Sequence, residues 1–193
     1  NEWIEFMTFS EYLDENPPLG RIYLPTASYY EMMEWSLPTE SGKKLKGLVA
    51  EIKKQGKMDE YEQFFKGGFF RNFLVKYPES NNMHKKMLQV SQRLSTLKAG
   101  KSLLGEKERE SRLKDAQTEL YMGQCNCAYW HGVFGGLYLN YLRHAIYEHL
   151  IKAENLLDKY ARSRDDYAEI VVTDFDKDGQ DEVILSNSML NLY

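Results

Sequence analysis

Between Gly123 and Arg143 the chain reads GQCNCAYWHGVFGGLYLNYLR, which sets two cysteines, an asparagine and a Tyr-Trp-His triplet among glycines. An indole beside an imidazole, joined to small residues, can stack on a flat ligand face and hydrogen-bond its edges. The same stretch also offers Cys125, Cys127 and His131 as three metal ligands. A structural zinc site asks for a fourth, and no other cysteine exists to supply one. As a nucleophile paired with His131, either thiol lacks a third group to orient the imidazole. Cysteines one residue apart rarely bridge, so both read as free thiols, either buried or kept reduced by their compartment.

A second cluster is acidic. Asp174, Asp176 and Asp178 alternate ahead of Gly179. Calcium takes several oxygen ligands around one point, and this spacing supplies three. The helix–loop–helix form needs a glutamate where this chain has Leu185, so Glu182 would have to serve in a different geometry. The competing reading is a solvated acidic turn, where Asp and Gly are favoured in any case. Calcium is the one cofactor the sequence raises. The paired carboxylates of glycosyl transfer have no counterpart in an apolar loop: most acids lie in charge-rich helices such as 106–110 and read as solvated faces. His84, His144 and His149, set among Lys, Arg and Glu, read as helix-surface residues. The sequence shows no self-contained catalytic machinery.

The elements that must position these groups are mostly helical. Trp3, Phe6, Phe9 and Tyr12 have helical spacing, broken at Asn16-Pro17-Pro18. Arg21–Pro25 reads as a short strand, and Ser28 as the cap of a helix over 29–35. Leu37–Gly42 reads as a linker and places a domain boundary. Lys43–Lys54 and Asp59–Phe65 are helical, Gly67-Gly68 breaks the pattern, and Phe69–Leu74 forms an apolar face ending near Tyr77-Pro78. Asn81 or Asn82 would cap a helix over 83–98, in which Met83, Met87, Val90, Leu94 and Leu97 recur in steps of four and three. A charged helix over 106–122 carries a thin stripe of Leu113, Ala116 and Leu120. Leu139, Leu142, Ile146, Leu150, Ala153, Leu157 and Tyr160 then keep helical stepping, and long helices joined by short turns predict an antiparallel three-helix bundle. From Tyr167 the period becomes that of strands: Ala168–Thr173 and Glu182–Leu185 form a hairpin around the acidic turn.

Composition bounds the partners. The chain has 193 residues, 42% of them hydrophobic, enough for one good-sized core. With 29 acidic against 25 basic residues the net charge is −4, which argues against a nucleic-acid partner. Fourteen tyrosines, nine phenylalanines and three tryptophans suit a protein that handles sugars or peptides, or one with a large interface. No apolar run is long enough to span a membrane. The N-terminus carries acids rather than the basic start of a signal peptide, which together with the free thiols points to the cytoplasm. It begins at Asn rather than Met, and both ends read as cut from a longer chain.

The stretch QCN, AYWHG and FGGLYL resembles the last conserved region of glycoside hydrolase family 57, in its α-amylase and 4-α-glucanotransferase branch. The likeness extends to YLPTASYYEMMEWSLP (23–38) and GGFFRNFLVKYPESNNMHKKMLQVS (67–91). It implies a mainly α chain: residues 1–37 an αβ remnant of a (β/α)7 barrel, 38–165 a central helical bundle, and 166–193 the start of a C-terminal β domain. The family's catalytic Glu and Asp lie on barrel strands that this chain does not contain. What carries over is one wall of a sugar cleft, with Trp130 or Tyr129 stacking on a glucose ring and Asn126 and His131 bonding its hydroxyls. Glucanotransferase-like members carry Asp where this chain has Cys127, so the resemblance implies α-1,4-glucan processing in general. The expected partners are an α-glucan or maltooligosaccharide and the missing barrel and β domain. The alternative is a stand-alone helical module that binds carbohydrate or protein without catalysis.

Overall fold

A computed structural model describes residues 3–24, 27–65, 67–100, 106–131, 134–162 and 166–193, with the side chains of 106, 108, 109 and 112 excepted. Three long helices carry the fold: α6 (Pro78–Ala99), α7 (Glu106–Met122) and α8 (Asn140–Ala161), preceded by α1 (Phe9–Glu15), α2 (Tyr30–Ser36), α3 (Thr39–Lys54), α4 (Met58–Tyr61) and α5 (Phe70–Lys76). Helix α7 runs along α8, and α6 lies against both. The predicted apolar steps are the core. Met83, Val90 and Leu94 of α6 meet Leu113, Ala116 and Leu120 of α7 and Ile146, Leu150, Ala153 and Leu157 of α8, all buried. Gly123, just past α7, lets the chain approach α8 closely, because a Cβ there would stand 2.6 Å from Leu150 Cδ2.

The ends of the elements depart from the sequence reading in instructive ways. Helix α6 starts at Pro78, ahead of both asparagines, since a missing N–H costs nothing at the first helical position. Helix α3 starts at Thr39, inside the stretch read as a linker: Pro38 takes the extended cap position and its carbonyl accepts the Gly42 N–H at 2.9 Å. Ser28 does not cap α2. Tyr29 holds that position without a side-chain bond, and the Ser28 N–H instead donates to the Gly68 carbonyl at 3.0 Å. Residues 21–24 form no strand, because a lone strand has no neighbour to complete its hydrogen bonds. Pro25 and Thr26, part of the same predicted strand and loop, lie outside the described residues.

The C-terminal hairpin forms with β1 (Ala168–Thr173) antiparallel to β2 (Glu182–Asn187). It gains a third strand, β3 (Asn191–Leu192), returned by a turn in which Asn187 Oδ1 accepts the N–H groups of Met189 and Leu190, both at 2.8 Å. The sheet presents one residue of β2, Ile184, to a buried setting. The opposite face, with Ile170, Val172, Val183 and Leu185, is exposed.

Two ion-pair groups tie α6 to α8. Arg93 and Arg162 both contact Asp158, the latter at 3.2 Å. Burial raises the Asp158 carboxyl, but the two guanidinium groups outweigh it and hold it below its ordinary value. Lys86 and Glu154, both buried, pair at 2.7 Å.

Candidate functional site

The Gly123–Arg143 stretch folds into two 3₁₀ turns, Asn126–Tyr129 and Gly136–Tyr138, that bring the chain back on itself between α7 and α8. The turn-back depends on Gly136. Its φ is +45°, and a Cβ would stand 2.2 Å from the Trp130 carbonyl oxygen. That carbonyl accepts the Leu137 N–H at 2.8 Å, so the two turns close on each other through Trp130. Gly132, part of the predicted Trp-His-Gly surface, lies outside the described residues.

Trp130 and His131 sit in a layer of aromatic rings assembled from four separate parts of the chain. Trp130 is half-buried against Tyr29 (ring centroids 5.0 Å apart) and Trp35 (5.4 Å). His131 is ringed by Trp35 at 4.7 Å, Tyr77 at 5.0 Å, Tyr138 at 5.1 Å and Phe73 at 5.2 Å. Its Nε2 pairs with the Tyr77 hydroxyl at 2.8 Å. Burial, followed by the Lys76 charge, pushes the imidazole below its ordinary value, so His131 is neutral near pH 7 and Nε2 either accepts from or donates to Tyr77. Burial and a bond with Tyr138 push the Tyr77 hydroxyl up to about 12. Neutral donors and acceptors flanked by ring faces are the chemistry of a site for an uncharged, hydroxyl-rich ligand.

Helix α2 reaches this layer because the Gly67-Gly68 pair lets it approach: a Cβ on Gly67 would overlap the Ser28 carbonyl at 1.5 Å. Lys76 fixes its far end, donating to the Trp35 and Leu37 carbonyls at 2.7 Å each, where a cation suits the helix C-terminus.

The predicted site residues therefore separate. Asn126 is exposed, and Trp130 and His131 are half-buried in the ring layer. Tyr129 is not a stacking surface. It is 6% exposed, its hydroxyl donates to the Gly123 carbonyl, and its own carbonyl accepts from buried Ser80. A ring in the core has no face left for a sugar. Cys125 and Cys127 are free but exposed rather than buried, and neither joins a metal-ligand group with His131 among the described residues. His144 is a surface residue and His149 pairs with Glu119 at 2.7 Å. His84 is not a simple surface residue: it packs edge-on against Phe70 and Tyr129, and its Nδ1 is buried without a partner. Trp35, Tyr77 and Tyr138 are the residues that sequence reasoning missed. They lie about fifty to a hundred positions from Trp130 or in its following turn, and nothing local marks them as its neighbours.

In the acidic loop, Asp174, Asp176 and Glu182 bring carboxylate oxygens within 4.8 Å of one another. Asp178 is not in that group and accepts the Gln180 N–H at 2.8 Å. The Glu182 carboxylate already accepts the Phe175 N–H at 2.7 Å, and Asn81 of α6 anchors the loop through the Asp176 carbonyl at 2.7 Å.

A bundle of three long helices capped by an aromatic layer, with a small sheet following, defines a helical domain. Residues 68–157 match the family described as alpha-amylase/4-alpha-glucanotransferase, middle domain. Alpha-amylase 1 of Dictyoglomus thermophilum is 47% identical over 182 residues, which is 94% of this chain and 24% of that protein. The 4-alpha-glucanotransferase of Thermococcus litoralis is 42% identical over 187 residues, 97% of this chain and 25% of that one. A crystal structure of 4-alpha-glucanotransferase from Thermococcus litoralis superposes with a TM-score of 0.68 at 41% identity, covering 97% of this chain and 26% of that chain. Residues 68–157 thus match that family's middle domain, and the chain is similar over nearly its whole length to proteins named alpha-amylase and 4-alpha-glucanotransferase. It spans about a quarter of the length of the curated relatives it matches. No helix among the described residues is long and apolar enough to cross a membrane.

Proposed function

We propose that this chain forms one wall of the sugar-binding cleft of an enzyme that processes α-1,4-glucans with retention, hydrolase or glucanotransferase, its catalytic carboxylates being supplied by a barrel outside the chain. The observation that carries the reading is the ring layer around Trp130. It is fixed by packing on one side, half-open on the other, and served by the neutral His131–Tyr77 pair. Trp130 stacks on a glucose ring, and His131 and the exposed Asn126 bond its hydroxyls. Relatives named alpha-amylase and 4-alpha-glucanotransferase support the substrate class. The exposed thiols accord with a reducing, cytoplasmic setting.

The test is steady-state kinetics on maltohexaose by a full-length enzyme carrying this chain, with and without Trp130→Ala. A rise in KM that exceeds the loss of thermal stability supports the wall. Full activity from the chain alone would sink it. The alternative, a stand-alone sugar-binding module, requires that this chain hold the ligand at Trp130 with no further polypeptide.

Calcium at Asp174, Asp176 and Glu182 belongs to the same proposal, with the cation holding the loop between β1 and β2. Their oxygens are close enough to share one ion, whose remaining ligands would be backbone carbonyls and water. Added calcium should raise the unfolding temperature, and a chelator should reverse the rise. An unchanged midpoint at millimolar calcium removes the ion from the account.

A further inference from the structure

Away from the ring layer, a cleft of about 580 Å³ opens between the bundle and the small sheet. Its volume lies within the roughly 300–1,000 Å³ typical of small-molecule sites. One wall comes from α8, where Tyr147, Ile151 and Asn155 recur at steps of four and so share a face. Asn82 of α6 and Asn191 of β3 add their carboxamides, and Phe175 and Tyr193 contribute rings.

The charges decide what kind of ligand fits. Lys86 lies in the cleft, but both Glu154 oxygens hold its Nζ at 2.7 Å and the Tyr193 hydroxyl accepts a further bond from it. Its charge is therefore spent within the protein. The other charged side chains lining the cleft, Asp176 and Glu182, are themselves acids, so no cationic side chain there is left to bind phosphate or carboxylate groups. The polar groups free to bind include amides. Asn82 and Asn155 are exposed, and among the described residues no side-chain hydrogen bond engages either of them. The Asn191 Nδ2 donates to Glu154 Oε2 at 2.7 Å, while its Oδ1 is buried with no partner, an acceptor that asks for a donor from a ligand or water.

We infer that this cleft is a second binding site, taking a neutral polyhydroxylated ligand of two or three pyranose units, with Asn82 and Asn155 bonding hydroxyls and Tyr147 lying along a ring face. Carboxamides both donate and accept, as vicinal hydroxyls do, and aromatic rings cover the apolar face of a sugar. The choice of an α-glucan among neutral sugars rests on the function proposed above. The site itself does not.

The test is a titration of the 193-residue chain with maltotriose, followed by the side-chain resonances of its asparagines, tryptophans and histidines. Binding in the cleft shifts the Asn82 and Asn155 signals, and the double variant Asn82→Ala/Asn155→Ala weakens the affinity at least tenfold. Both positions are exposed on helices, where alanine is the better helix former, so the variant keeps its fold. An unchanged unfolding temperature checks this. Shifts confined to Trp130 and His131 overturn the cleft and favour the stand-alone module. An absence of shifts at millimolar sugar overturns the cleft and leaves the wall reading intact, since that is decided by KM in the longer enzyme. Equal affinity in the double variant also overturns it.

Discussion

Two parts of this chain are equally rich in aromatic residues and share almost nothing else. The arm over residues 3–24 carries Trp3, Phe6, Phe9, Tyr12 and Tyr23, and the first three and the last are more than four-fifths exposed. Its one helix, α1, buries no residue and is held locally by a capping box, in which the Thr8 N–H donates to Glu11 at 2.6 Å. The layer around His131 uses the same kinds of side chain, yet Phe73 is fully buried, with its ring 4.3 Å from Tyr77 and 5.2 Å from His131. The difference lies in the partners. Phe73 finds Tyr77 one turn on and His131 nearly sixty residues away, whereas the arm's rings, though spaced for one helical face, make no ring–ring contact among the described residues. An aromatic stripe predicts a face; only a second element decides whether that face is core, ligand surface or neither.

The contrast can be tested from its strong side first. Phe73→Ala removes a ring with no exposure, and should cost about 3–5 kcal/mol in urea unfolding. A loss no larger than that of an arm substitution would erase the distinction.

Protonation gives a smaller effect. His131 and His84 are both pushed below the ordinary 6.5, chiefly by burial, with Lys76 adding to the first and Lys85 and Arg71 to the second. Near neutrality and just below, the unfolded chain then binds more protons than the folded one, so stability rises with pH. The unfolding temperature should fall as pH drops from about 7 through 6.5 towards the depressed folded values, and His131→Gln should flatten part of that slope. A profile indifferent to the substitution would detach His131 from the effect. The smallest change is expected in the arm, where Phe9→Ala should alter stability by less than about 0.5 kcal/mol.

The bundle was legible because its information is periodic and local. Met83, Val90 and Leu94, and Ile146, Leu150, Ala153 and Leu157, fall where a helical step of three and four puts them, and all are core. Boundaries were less so, because Pro38 and Pro78, which read as stops, serve as starts. Strand β3 has two residues, too few to leave a period, and its existence depends on the Asn187 turn. Trp130 and His131 could be singled out by type, but not the setting that gives them meaning. Trp35 is 95 positions from Trp130, and Tyr129, one residue before it, points into the core instead. Tyr129 ends the 3₁₀ turn while Trp130 is extended (φ −147°, ψ 179°), so the two adjacent side chains take different directions and the triplet does not present three side chains to one ligand.

Trp130 stands where the packed and open parts of the ring layer meet, and one paired measurement on it decides the account. In a full-length enzyme carrying this chain, Trp130→Ala should raise KM for maltohexaose about tenfold or more, the loss of roughly 1.4 kcal/mol of binding. Losing its contacts with Tyr29 and Trp35 should lower the unfolding temperature by only a few degrees. An unchanged KM with a large drop in unfolding temperature would make Trp130 a packing residue and contradict the sugar-binding wall.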